Sequence, residues 1–165
     1  MQIPKRKAGQ YAHLKPDPNL TENKYNELKE KLARLKKIHP QAASEVKRLA
    51  EMGDFSDNAA YSIAKGRLRG INQRILELAD HLKRAVIISP EKNTSAVALG
   101  NRVTLETASK QKTYLILGSS ETDPQAGIIS HHSALGSALI GRRVGDKVKI
   151  KTTDKEVEYT LIKIK

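Results

Sequence analysis

The chain of 165 residues contains no cysteine, no tryptophan and one phenylalanine, and aromatics make up only 4% of it. Without cysteine there can be no disulfide framework, no thiolate zinc site and no cysteine nucleophile, which fits a reducing cytoplasm. So few aromatic rings argue against recognition of single-stranded nucleic acid by base stacking, which needs exposed ring platforms. No apolar run approaches the roughly eighteen residues of a membrane span, so a soluble protein without a membrane partner is expected. Lys5-Arg6-Lys7 is followed by Ala8-Gly9-Gln10-Tyr11-Ala12-His13, where an export signal would need an apolar stretch. A cytoplasmic location follows as the expectation.

What the chain has instead is positive charge. Thirty Lys and Arg stand against eighteen Asp and Glu, a formal charge of +12, which raises the local concentration of polyanions and steers association with them. Nucleic acid, or a protein bound to it, is the partner class this implies; the plain alternative is that excess lysine keeps the chain in solution.

Two apolar tracks organise the first half. Tyr25, Leu28, Leu32, Leu35, His39, Ala42, Val46 and Leu49 alternate steps of three and four, the seam of a coiled coil. Tyr61, Ala64, Leu68, Ile71, Ile75, Leu78, Leu82 and Ala85 repeat the spacing after Gly53-Asp54-Phe55-Ser56-Asp57-Asn58. So short a link predicts two helices folded back antiparallel, a rod roughly 45 Å long at 1.5 Å per residue. Thr21 is a suitable N-cap for the first helix, with Leu20 placed to staple onto it. Pro40 predicts a bend or a split in that helix, because proline removes a ladder bond and crowds the preceding turn. Residues 1–19 are basic, proline-containing and aperiodic, and read as a flexible arm able to touch nucleic acid non-specifically.

Val86-Ile87-Ile88 leads from the hairpin of residues 20–88 into a polar linker at 89–95. In residues 96–165 the period falls to two: segments 103–106, 113–117, 128–129, 148–150 and 157–162 read as strands, and 133–140 as a short helix. The fold class is therefore α+β: a long two-helix coiled coil, then a small, mostly antiparallel sheet carrying one helix. His131-His132 invites a metal reading, but neighbours on an extended segment point to opposite sides, which leaves them as surface residues.

The point between the helices concentrates the chemistry. Asp54 and Asp57, three apart where the second helix begins, can share a face and offer oxygens to a divalent cation such as magnesium. On spacing alone they fit helix capping better, with Asp54 as N-cap and Asp57 favourable to the dipole. Phe55, the one phenylalanine, sits at this exposed tip, where it more often marks a partner contact than a need of the fold.

Met52 to Tyr61, with its Gly-Asp, an acidic residue three positions on, Asn-Ala and Tyr, resembles the tip signature of the bacterial transcript cleavage factors GreA and GreB. Leu99 to Leu105, Ile129 to Gly141 and Val144 to Val148 are similar to that family's C-terminal, FKBP-like domain, so the resemblance covers about residues 20–165. It implies a monomeric transcription elongation factor that is not itself an enzyme. Its C-terminal domain would dock on RNA polymerase while the coiled coil enters the secondary channel and stimulates cleavage of backtracked RNA near its 3′ end. Asp54 and Asp57 would be the catalytic pair, sharing a magnesium with the polymerase active site and holding none stably alone. Gly53, Phe55, Ser56, Asn58 and Tyr61 would position the tip, and Lys65, Arg67, Arg69 and Arg74 would contact RNA, a basic patch similar to that of the GreB branch. Asp57 stands where the family usually has Glu, one methylene longer, and Ala60 replaces a commonly acidic residue. A homologue that occupies the channel and inhibits or modulates polymerase without cleavage is the alternative. Prolyl isomerase activity is not expected, since residues 96–165 hold only Tyr114 and Tyr159 as aromatics.

Overall fold

The computed structural model describes residues 15–52, 59–89, 95–108, 110–151 and 156–165. Helix α1 (Glu22–Glu51) and helix α2 (Ala59–Arg84) form the hairpin, with 30 and 26 residues. Every member of the two predicted seam tracks is buried or half-buried, and the positions between them are mostly exposed. The pairing falls in number on one helix as it rises on the other, which fixes the antiparallel sense. Lys31 shares a groove with Leu78 and His81, Lys36 and His39 with Asn72 and Ile75, and Glu45 pairs with Arg67 at 3.8 Å. Helix α1 runs unbroken through Pro40, which is exposed, so the predicted split does not occur. The proline ring faces solvent, and the seam residues on either side of it hold the register.

Thr21 caps α1 as expected, its Oγ1 accepting from the Lys24 amide at 3.2 Å. The other half of a capping arrangement comes from far away. Glu121 accepts from the Thr21 amide at 2.8 Å and from its hydroxyl at 2.5 Å, the task a glutamate in the helix's own first turn would ordinarily perform.

Two very short strands close the hairpin base. β1 (Asn19–Leu20) pairs in parallel with β2 (Val86–Ile87), and the amides of Val86 and Ile88 donate to the carbonyls of Pro18 and Leu20. Residues 15–19 are therefore not part of a flexible arm: Asp17 is buried, Asn19 is in a strand, and Leu20 is completely enclosed. Val86 and Ile87 belong to the hairpin base, within the expected bounds of residues 20–88.

The second half is a five-stranded sheet of β3 (Arg102–Thr107), β4 (Lys110–Leu117), β5 (Ile128–Ser130), β6 (Lys147–Lys151) and β7 (Glu156–Ile164), in the order β5-β4-β3-β7-β6. All neighbours are antiparallel except β4 and β5, so the sheet is mixed, with one parallel edge. Helix α3 (Ala134–Leu139) is capped by Ser133, whose hydroxyl accepts from the Gly136 amide. It lays Leu139 against Val103, Leu105, Ile116, Val148, Leu161 and Ile164, the core of this half. Each such side chain contributes about 1.5 to 3 kcal/mol by leaving water. Between Leu161 and Lys163 the register with β3 shifts, and the extra residue, Ile162, is turned outward.

Candidate functional site

The hairpin tip is built by the helices that lead into it. α1 ends at Glu51 and α2 starts at Ala59, and since β1 and β2 pair at the other end of the hairpin, these two helix ends are the ones farthest from the sheet. Gly53, Asp54, Phe55, Ser56, Asp57 and Asn58 lie outside the described residues, as does the choice between capping and metal binding by the two aspartates. On the described flank, Met52, Ala59 and Ala60 are exposed, and the first turn of α2 carries no acidic residue. Tyr61 is half-buried, with the Lys65 ammonium 5.6 Å from its ring centre, a cation–π distance.

The four basic residues do not form a single patch. At about 100° per residue, Lys65 and Arg69 share one face of α2 with Tyr61, while Arg67 and Arg74, seven apart, share the opposite one. Arg67 is turned across to Glu45 of α1, and Arg74 lines the groove with Lys31, Glu77 and His81. All four are exposed. Two stripes, one at each side of the seam, replace the one surface expected.

The junction between hairpin and sheet carries polar chemistry that sequence reading missed. The Asp17 carbonyl is 2.9 Å from buried His81 Nε2 on α2, while its carboxylate reaches into the sheet domain. Oδ2 accepts from the Ser119 amide at 2.7 Å, and Oδ1 from the Asn19 amide and side chain at 3.0 and 2.9 Å. Burial pushes this carboxyl upward, but those hydrogen bonds and the nearby His131 together outweigh it and hold the group below its ordinary range. Asp17 is thus a fixed negative charge at neutral pH. Arg84 adds a bond to the Pro16 carbonyl at 3.3 Å. Gly118 lies so close that a Cβ there would stand 2.0 Å from the Asn19 carbonyl oxygen, so only glycine allows the two backbones to touch.

His131 and His132 depart from expectation in a useful way. They occupy a turn ahead of α3 and not an extended segment, so their rings lie on the same side, 3.8 Å apart between centroids and tilted by 39°. His131 Nδ1 is 3.5 Å from Asp17 Oδ2.

The architecture is thus two-part, a coiled-coil hairpin fixed at its base to a small mixed sheet. Two family models match it in tandem: "Transcription elongation factor, N-terminal" over residues 19–87 and "Transcription elongation factor, GreA/GreB, C-term" over residues 92–165. The chain belongs to the GreA/GreB family of transcription elongation factors, which are not themselves enzymes. It is similar to the transcription elongation factor GreA of Nautilia profundicola, 39% identical over 150 residues that cover 88% of this chain and 92% of that one. The GreA of Pelobacter propionicus is also 39% identical over 150 residues, covering 88% of this chain and 95% of its own. Among solved structures, GreA factor homolog 1 of Thermus thermophilus is 29% identical, covering 90% of this chain and 99% of that one with a TM-score of 0.42. No helix among the described residues is long and apolar enough to cross a membrane.

Proposed function

We propose that this chain binds RNA polymerase through residues 96–165, passes its hairpin into the secondary channel and stimulates hydrolysis of backtracked RNA, so rescuing arrested complexes. The observation that carries this reading is the rod itself. Its helices are close to 45 Å long, they hold a half-wet seam with little interior for a pocket of their own, and the sequence that joins them carries two carboxylates, Asp54 and Asp57. Such a shape delivers chemistry to a distant place.

The donor set at the tip fits magnesium only as a shared ligand. Asp54 and Asp57 supply two carboxylates, fewer oxygens than an octahedral ion needs, so the remainder must come from water, RNA and the polymerase. Magnesium held there would lower the pKa of a bound water and neutralise charge developing on the phosphate. The chain's own part is to place two negative charges at a fixed depth. Tyr61, with Lys65 against its ring, supports the start of α2 beside them, and the Lys65 and Arg69 stripe lies on that same face, where it would meet the RNA end. Residues 1–14, with Lys5, Arg6 and Lys7, would add a salt-sensitive contact with nucleic acid.

Asparagine caps a helix about as well as aspartate but carries no charge. Asp54→Asn and Asp57→Asn should therefore leave melting temperature and polymerase affinity nearly unchanged while RNA shortening in a stalled, backtracked complex falls by about tenfold or more. Full cleavage activity in Asp54→Asn would remove the catalytic role. The second reading, occupation of the channel without cleavage, draws on Asp57 in place of the usual Glu and on Ala60, exposed where the family commonly has an acidic residue. It predicts that the parent protein binds the stalled complex and shortens no RNA.

A further inference from the structure

The geometry points to a binding site for a divalent transition metal of the zinc, cobalt or nickel class, formed by Asp17, His131 and His132 where the hairpin base meets the sheet. One donor atom from each of the three lies within 4.8 Å of the other two. The Asp17 Oδ2 to His131 Nδ1 separation is 3.5 Å, close to the roughly 3.4 Å between two ligands that each stand about 2.1 Å from a tetrahedral ion. His132 completes the set because the turn puts its ring beside that of His131.

The surroundings allow the rearrangement that ligation needs. His131 Nδ1 is also 3.2 Å from the Leu117 carbonyl, and binding an ion would withdraw the ring from it. That carbonyl would not be orphaned, since it already accepts from the His131 amide at 3.0 Å. The proton then resides on Nε2, the neutral tautomer a metal requires. Asp17 keeps its bonds from Ser119 and Asn19, an outer shell that orients a ligating carboxylate. A neighbouring cavity of about 540 Å³, lined by Lys15, Pro16, Asp17, Ser119, Ser120 and His132, leaves room for water or another small ligand in the remaining position. The opposing charge there is Lys15, whose ammonium is exposed and turned 3.9 Å from Asp80. Imidazole nitrogen with a single carboxylate favours zinc, cobalt or nickel over magnesium, which prefers oxygen donors. The site is thus chemically distinct from the tip aspartates and lies at the other end of the rod. An ion there would join the hairpin base to the sheet domain through Asp17.

Cobalt(II) is the probe, because its visible absorption reports tetrahedral nitrogen and oxygen ligation. The full-length protein, stripped with a chelator, should take up one equivalent of cobalt with visible bands that zinc abolishes and millimolar magnesium does not. Zinc should also raise its melting temperature. His132→Gln changes an exposed side chain and should fold like the parent, yet bind cobalt at least about tenfold more weakly. Asp17→Asn should also bind cobalt at least about tenfold more weakly, and His13→Gln should bind as the parent does. Parent-like cobalt binding by His132→Gln, loss of binding in His13→Gln, or a parent that shows no visible bands at millimolar cobalt would each overturn the assignment.

Discussion

The two halves of the molecule solve the problem of a small core differently. In the sheet half, Val103, Leu105, Ile116, Leu139 and Leu161 are at most 1% exposed. In the two helices, among the described residues, only Leu28, Ala42, Ala64, Ile71 and His81 are buried, and two of those are alanines. Two helices side by side cover one stripe each and leave the rest wet, whereas a sheet with a helix on one face encloses a volume. The rod is long at the expense of depth. Its integrity depends on many half-buried contacts and on what is fastened at its base.

Mutations can test that contrast directly. The largest effect should come from Leu161→Ala, which opens a cavity in the enclosed core and should cost about 3 to 5 kcal/mol by urea titration followed by circular dichroism. A loss below about 1 kcal/mol would mean that the sheet half is no better packed than the rod.

Asp17→Ala should come next, at about 2 to 3 kcal/mol in metal-free protein, because it strands the Ser119 and Asn19 amides. Its folded carboxyl titrates below the unfolded value of about 4, so the stabilisation is present above that pH and is lost as pH falls through the folded value. The gap between parent and variant should hold from pH 7 down to about pH 5 and close at lower pH. A gap that stayed constant to pH 2 would show that the charge is not what matters.

Leu68→Ala, at a half-buried seam position, should cost only about 1 to 2 kcal/mol. A cost as large as that of Leu161→Ala would erase the distinction between the halves. Arg67→Ala should have the smallest effect, within about 0.5 kcal/mol, since its pair with Glu45 is long and exposed. Any loss of RNA shortening in that variant would then report on contact with RNA and not on folding.

The extent to which this structure could be read from sequence follows the range of the interactions. The seam tracks, the Thr21 cap and all five strands of the main sheet carry their signal within a few neighbouring residues, and each appears where periodicity or capping chemistry puts it. Pro40 does not split α1, because its penalty is local while the seam that holds the register spans the whole helix. The junction left no local trace. β1 and β2 have two residues each, too few for a period, and the Asp17 contacts reach across 64 residues to His81 and 102 to Ser119. His81, three after Leu78 on the flank of the seam, was the one available hint. His131 and His132 were misjudged because the rule of opposite sides holds for strands and the pair sits in a turn. The basic residues after the tip were legible as charge, but their division into two stripes required the helix phase to be applied to each.

Gly118 has one more implication, and it is mechanical. With backbone pressed on backbone at the base, a methyl group added there must push Asn19 and the sheet domain apart, and any part of that shift taken up as rotation tilts the rod. Over a length near 45 Å a tilt of one degree carries the far end sideways by about 0.8 Å, already more than the roughly 0.5 Å within which catalytic groups must be held. If the tip acts as proposed, Gly118→Ala should lower RNA shortening without touching the tip, because the missing Cβ at position 118 lets the base of the lever close fully.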